Sequence, residues 1–302
     1  MCLKLVAIAK NEDKYILEWL AHHLRLNVDE IIVFDNESTD STLHILKDIS
    51  RAFPLHVHSW QTVEGLSPQL SAYNFALREL CKEGDVVGFI DIDEFLMPKN
   101  ESSLRSIIVS AISQDRDVGA VCVNQRVFGS SWLERYSAEP VLERFKLCSA
   151  PDYTENSWIK SFYRVGYIEE ITDCHSSKLS RGIHVHPSGE PVRFVGDRFS
   201  QSQSPDYSSL QLNHYITKSL EEYHWKRARG GVAAATLDAR MRRYESMDFF
   251  HGRQPDLNVS RDALTEAYAE RIPHLIENIR ARLHSSFDRP INRDMHPVSP
   301  ST

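Results

Sequence analysis

A chain of 302 residues that is 41% hydrophobic can bury either one large α/β domain with additions or two small ones, which excludes disorder as the default state. A formal net charge of -7 and a pI near 6.1 argue against capture of polyanions, so nucleic acid is not an expected partner. The five cysteines, Cys2, Cys81, Cys122, Cys148 and Cys174, have no C-x-x-C spacing, which excludes a zinc ribbon and a dithiol redox motif.

Leu3 to Ala9 is an apolar run of strand length, stopped by Lys10, Asn11, Glu12 and Asp13. It is too short for a secretory leader, and no apolar run approaches a membrane span. The expected location is cytoplasmic, with peripheral attachment at the inner face of a membrane left open. Tyr15 to Leu24 carries apolar residues at spacings of three and four, a helix. Glu30 to Phe34 is a strand, followed by the polar cluster Asp35–Asp40 and a helical pattern over Thr42 to Ile49. The repeated strand, loop, helix order predicts a mostly parallel central sheet with flanking helices.

Leu55 to Trp60 alternates like a third strand, and Gln69 to Cys81 reads as a helix. A strand over Asp85 to Ile90 runs into Asp91-Ile92-Asp93-Glu94. Beyond Pro98 come a helix from Ser103 to Ile112 and a strand from Ala120 to Val127, and then the periodicity weakens. A basic, aromatic segment from Asn213 to Gly231 precedes an Arg-rich helical run, and the tail after Phe287 reads as irregular.

Ligands of open α/β sheets bind beyond the carboxyl ends of the strands, where the acidic cluster sits. If the chain stays extended there, Asp91 and Asp93 project to one side, an arrangement suited to a hard divalent ion that also takes oxygens from a diphosphate. A lone D-x-D is as often an acidic turn that caps a helix; its place at the end of a core strand favours the functional reading. The Asp35–Asp40 loop offers short donors and acceptors for a base or ribose, or caps the next helix. Asn213-His214-Tyr215, with Lys218, Lys226, Arg227 and Arg229, combines an imidazole with cations able to face a diphosphate, or is an ordinary solvated helix start.

Five ordered segments resemble the bacterial GT-A glycosyltransferases of the family-2-like type, in the group related to a domain-of-unknown-function family linked to galactosyl transfer. They are Ala7–Glu12 with Tyr15–Trp19, Val33–Thr42, Gln69 with Ala72–Asn74, Phe89–Phe95, and Asn213–Tyr215 with Lys218–Ser219 and Glu221–Tyr223. The resemblance implies a GT-A domain over residues 1–230, with a nucleotide-sugar half (1–98) and a less regular acceptor half (99–230). A helical extension (231–287) and an irregular tail (288–302) follow. It implies nucleotide-sugar contacts by Ala9, Asn11, Glu12, Asp35, Gln69, Asn74, Asp91, Ile92 and Lys218, and Mn²⁺ or Mg²⁺ held by Asp91, Asp93 and His214. The expected partners are a UDP-sugar donor and a glycan, lipid-linked or small-molecule acceptor, with transfer of a hexose by inversion.

The chain departs from that family in lacking a clear Gly-Glu-Asp between Asn124 and Asp197. An inverting transfer needs a carboxylate near the acceptor hydroxyl. Glu134 and Asp173 are the candidate bases, with Asp152 and Glu170 beside them; His175 is placed near the acceptor or the phosphate. Two other readings stay open. A sugar-nucleotide-forming nucleotidyltransferase should carry a glycine-rich loop after the first strand, and Ala9–Glu12 has no glycine. A noncatalytic nucleotide- or carbohydrate-binding module needs no base at all.

Overall fold

The computed structural model describes residues 1–99, 103–114, 116–230 and 247–287. The Arg-rich run after Gly231 and the tail after Phe287 lie outside them, save for the helices from Asp248 onward. The parallel strands are β1 (Leu3–Ala9), β2 (Glu30–Asp35), β3 (Leu55–Ser59) and β4 (Val86–Phe89), linked through α1 (Ile16–Leu24), α2 (Thr42–Ser50) and α3 (Pro68–Phe75). The expected helix Gln69–Cys81 divides: α3 ends at Phe75 and continues as a wide π turn over Ala76–Leu80.

β5 (Glu94–Pro98), α4 (Leu104–Ile112) and β6 (Val118–Val127) follow; later come β7 (Leu147–Cys148), β8 (Ile159–Arg164), β9 (Ile183–Val185), β10 (Phe194–Val195), β11 (Arg198–Ser202) and β12 (Leu210–His214). The main sheet runs β3-β2-β1-β4-β8-β6-β12-β5, with β9 paired to β6. Its strands are parallel except β8 and β5. The expected α/β class with a mostly parallel sheet is therefore what the chain adopts. The two antiparallel strands carry no distinguishing pattern in the sequence, because β5 begins inside the acidic cluster and β8 alternates weakly.

Both faces of the sheet are covered. Along β1, Leu3, Leu5, Ala7 and Ala9 face one core, while Val6 and Ile8 face the other. The first core also takes Trp19 of α1 and Ile272 and Ile279 of the helix Ile272–Phe287, so the helical C-terminal region shares the core of the sheet. Among the described residues no helix is long and apolar enough to cross a membrane.

A buried carboxylate ties α1 to the second half of the chain. Glu18 accepts the amides of Val141 (2.6 Å) and Leu142 (3.0 Å), at the start of the short helix α5 (Val141–Arg144). Burial pushes its carboxyl up to about 7, against the pull of those two bonds. Since the folded value lies above the unfolded one, the unfolded chain releases the proton first as pH rises. The contribution of Glu18 to stability is then complete below about 4.5, the unfolded value, and is lost as pH climbs towards 7. The loss amounts to roughly 3 kcal/mol. Urea denaturation at several pH values across that window should show stability declining, and Glu18→Gln should flatten the decline; an unchanged slope would assign it to another group.

Candidate active site

The acidic cluster closes a turn between β4 and β5 instead of continuing β4. The Glu94 amide donates to the Asp91 carbonyl (3.1 Å), the Glu94 carboxylate accepts the Asp91 amide (2.8 Å), and the Trp19 indole N–H donates to the carbonyls of Asp91 (3.1 Å) and Glu94 (3.0 Å). The extended geometry expected for Asp91-Ile92-Asp93 is thus replaced by a turn, because the Glu94 carboxylate caps the chain back on itself. Ile92 is buried in the hydrophobic core.

The register of β12 against β5 pairs His214 with Glu94, and the Tyr215 amide donates to the Asp93 carbonyl (2.9 Å). This brings the late Asn-His-Tyr segment against the acidic turn across 120 residues of chain. His214 Nδ1 lies 2.7 Å from Gln125 Oε1. Since Gln125 Nε2 donates to the Glu155 carbonyl (2.6 Å), its oxygen faces the imidazole, and Nδ1 carries the proton. Burial lowers the imidazole to about 4, outweighing the pull of Asp93. His214 is therefore neutral at pH 7, and its bare Nε2 faces Asp93 Oδ1 at 3.8 Å. Two acceptors facing one another are the arrangement that a cation between them stabilises.

Each aspartate also meets a lysine. Lys160, on β8, is fully buried and lies 2.9 Å from Asp91 and 3.5 Å from Glu94. Burial would lower its ammonium, but the two carboxylates raise it well above its usual value. Gln69 Nε2 (2.6 Å) and the Tyr73 hydroxyl (3.4 Å) donate to the other Asp91 oxygen. Lys226 Nζ lies 2.7 Å from Asp93; burial would raise that carboxyl, yet Lys226, His214 and Lys218 hold it well below the carboxylate range. Burial pushes Glu94 the other way, up to about 8, with Lys160 opposing and Asp91 and Asp93 adding to the rise. The Glu94 Oε1 is buried without a hydrogen-bond partner.

The three predicted ligands do not form a ready-made cage: among the described residues, the trio whose ligand atoms lie within 4.8 Å of one another is Asp173, Cys174 and His175. Asp93 and His214 face each other, whereas Asp91 is engaged by Lys160, Gln69 and Tyr73. The chemistry of the pair, a carboxylate oxygen facing a bare imidazole nitrogen, fits a divalent ion, and Asp91 fits a positioning role.

Beside this turn lies a cavity of about 490 Å³ whose lining includes Asn11, Glu12, Tyr15, Thr217, Lys218 and Lys226, and which Trp225 and Arg229 of α6 (Leu220–Arg229) also border. Lys218 has φ of 55° and extends over the Tyr15 ring, 4.4 Å from its centroid; burial lowers its ammonium despite Asp93 and Glu12 nearby. The Ser219–Glu222 capping box starts α6, and Arg144 grips Glu222 with two nitrogens at 2.8 and 2.9 Å. The Tyr15 hydroxyl donates to the same carboxylate (2.9 Å). Arg229 reaches the carbonyls of Lys10 (2.7 Å) and Asn11 (3.1 Å) and the Glu12 carboxylate, so α6 is bolted to the loop after β1.

The loops after β1 and β2 are knitted together: Ser38 accepts the Asn11 amide (2.9 Å), Asn11 accepts the Thr39 amide (2.7 Å), and the Ala9 carbonyl accepts the Asn36 amide (2.8 Å). Asp35, at the end of β2, is buried, and its Oδ1 has no hydrogen-bond partner; the same holds for Thr217 Oγ1 at the cavity. Asn74, expected among the donor contacts, instead clamps a loop, donating to the Ile171 carbonyl (2.8 Å) and accepting the Ile171 amide (2.8 Å). Its amide is used inside the protein.

Of the candidate bases, Glu134, Asp152 and Glu170 are exposed. Glu134 lies on the loop whose carbonyl accepts the Glu221 amide (3.0 Å). Asp173 is half-buried, and burial pushes the thiol of the next residue, Cys174, up to about 12, with Lys160 opposing and Asp91 adding to the rise. Sequence reasoning did not assign Lys160 to Asp91, although a lysine inside the apolar strand Ile159–Tyr163 was the available signal. Nothing in the sequence marked Gln125.

An α/β protein with a lysine-compensated acidic turn at the carboxyl ends of its strands is what fold and site define. The chain belongs to glycosyltransferase family 92, whose family model matches residues 1–227. A family 92 protein of Ricinus communis is 25% identical over 142 residues, 47% of this chain and 25% of that protein. One of Oryza sativa subsp. japonica is 27% identical over 109 residues, 36% and 18% respectively. The chain thus spans a quarter or less of the length of these curated relatives. Among solved structures, S. aureus TarS 1–349 is similar over 95% of this chain and 89% of that one, at 16% identity and a TM-score of 0.41. Glucosyl-3-phosphoglycerate synthase of Mycobacterium tuberculosis is similar over 40% and 42%, at 24% identity and a TM-score of 0.29.

Proposed function

We propose that this chain is a metal-dependent glycosyltransferase of the GT-A type that moves a hexose from a UDP-sugar to a hydroxyl of a glycan, lipid-linked or small-molecule acceptor, with inversion. The observation that carries the reading is the neutral His214 presenting a bare Nε2 to Asp93 beside a cavity that holds Lys218, Lys226 and Arg229. In this reading Asp93 and His214 hold Mn²⁺ or Mg²⁺, which when bound neutralises charge on the departing diphosphate. Lys218 and Lys226 face the same diphosphate from the cavity wall. Asp35 Oδ1 receives a donor group of the base or ribose, and Asn11 and Glu12 shape that end of the site. Asp91 is held by Gln69 and Lys160 so that the turn presents Asp93. Asp173 accepts the proton of the acceptor hydroxyl as its oxygen bonds to the anomeric carbon and the carbon–diphosphate oxygen bond breaks. Cytoplasmic chemistry, with or without attachment to a membrane surface, is part of the proposal.

Calorimetric titration of the full chain with UDP, GDP and CDP, each with Mn²⁺ or with EDTA, tests the reading. UDP should bind in the presence of Mn²⁺ and lose most of its affinity in EDTA; absence of binding by every diphosphate would overturn it. His214→Ala should weaken UDP by about tenfold or more while changing uridine little, since a lost metal ligand acts on the diphosphate. Equal losses for UDP and uridine would remove His214 from the metal.

A further inference from the structure

A second cavity, of about 390 Å³, shares no lining residue with the first. Its walls include Trp158, Asp173, Ser176, Lys178, Phe199 and Ser200, and its size is within the range of small-molecule sites. Two half-buried aromatic rings among hydroxyls, a carboxylate and a lysine match the chemistry of a sugar ring. Its C–H face packs on an aromatic face while its hydroxyls take hydrogen bonds at the edges.

Both rings are held in advance. His175 packs against Trp158 with centroids 4.6 Å apart, and Phe199 packs against Phe194 (5.1 Å) and stacks on His184 (5.6 Å). The backbone of Trp158 bridges Gln201 of β11, which fixes the spacing between the segments that carry Trp158 and Phe199. Rings already ordered lose little freedom when a ligand arrives.

The cavity is joined to the acidic turn through the chain. Trp158 directly precedes β8 and stands two residues before Lys160, the lysine that holds Asp91. Asp173 lines the cavity, and its carboxylate accepts the amide of His175 (2.7 Å), whose ring packs on Trp158.

We propose that this cavity is a pyranose-binding subsite that seats the acceptor sugar, with Trp158 and Phe199 as its apolar walls and Asp173 as its carboxylate. The acceptor role rests on the glycosyltransferase reading; binding of the sugar ring does not.

Saturation-transfer NMR on the full chain, with the methyl β-pyranosides of glucose, galactose and N-acetylglucosamine and the methyl α-pyranoside of mannose as probes, tests it. UDP and Mn²⁺ titrations are run on the same samples. At least one pyranoside should receive saturation, and its affinity should fall by about tenfold in Trp158→Ala and also fall in Phe199→Ala, with UDP affinity unchanged in both. Saturation of no pyranoside, or equal saturation in wild type and a folded Phe199→Ala variant, would overturn the subsite even where UDP binds. Trp158-dependent saturation in a chain that binds no UDP would keep the subsite and sink the transferase reading.

Discussion

Asp93→Asn is expected to bring UDP affinity in Mn²⁺ down to its level in EDTA and to lower transfer by about a thousandfold, the scale of losing one electrostatic partner of a developing charge. The substitution keeps the shape of the side chain, and the turn does not depend on the carboxylate. Its closing bonds run between Asp91 and Glu94, and the link to Tyr215 uses the Asp93 carbonyl. What goes is the charge facing His214 Nε2 and holding Lys226, which retains its bond to the Ile216 carbonyl (2.9 Å). Circular dichroism should therefore report a folded chain. Metal-dependent UDP binding of wild-type strength in that folded variant would take Asp93 out of the site.

The same comparison separates two origins of metal affinity. If Asp93 holds the ion, Lys226 competes for the same carboxylate, 2.7 Å away, and binding of the ion and of the diphosphate should reinforce each other. The diphosphate draws Lys226 towards its own oxygens as the ion takes the carboxylate. Mutual enhancement of Mn²⁺ and UDP affinities, equal in both directions, is the thermodynamic form this takes.

The first half of the chain was legible because its signals are local. Continuous apolar runs gave β1, β2 and β4, polar loops at their carboxyl ends marked one edge of the sheet, and that edge is where Asp35 and Asp91 stand. The second half was not, since its strands are ordered by long-range pairing. β8 is inserted between β4 and β6, and β12 between β6 and β5. A strand buried on both sides can carry Lys160 only because two carboxylates, Asp91 and Glu94, 69 and 66 positions earlier, compensate it, and periodicity does not see such partners. The same blindness hid Gln125, which sets the tautomer of His214 from the neighbouring strand. Asn74 shows the converse difficulty: an amide on a helix near a site reads alike whether it faces a substrate or fastens a loop, and its bonds here go to the Ile171 backbone.

Lys160→Met should be the most destabilising single change at the site, by roughly 3–5 kcal/mol, the loss associated with removing one partner of a buried ion pair. The methionine fits the volume, so the cost is electrostatic. Asp91, Asp93 and Glu94 crowd one turn, and without Lys160 the Asp91 carboxylate loses its counter-charge on the buried side. The burial that already holds a proton on Glu94 to about 8 then acts with less opposition. Asp91→Asn added to Lys160→Met should recover a large part of the loss, because an amide in place of the carboxylate no longer needs the ammonium and still meets Gln69 and Tyr73. Urea denaturation of the wild type, both single variants and the double variant gives the coupling directly. Additive losses would show that Lys160 and Asp91 act independently, and that the turn is held by its bonds to Glu94, Trp19 and Tyr215 without that pair.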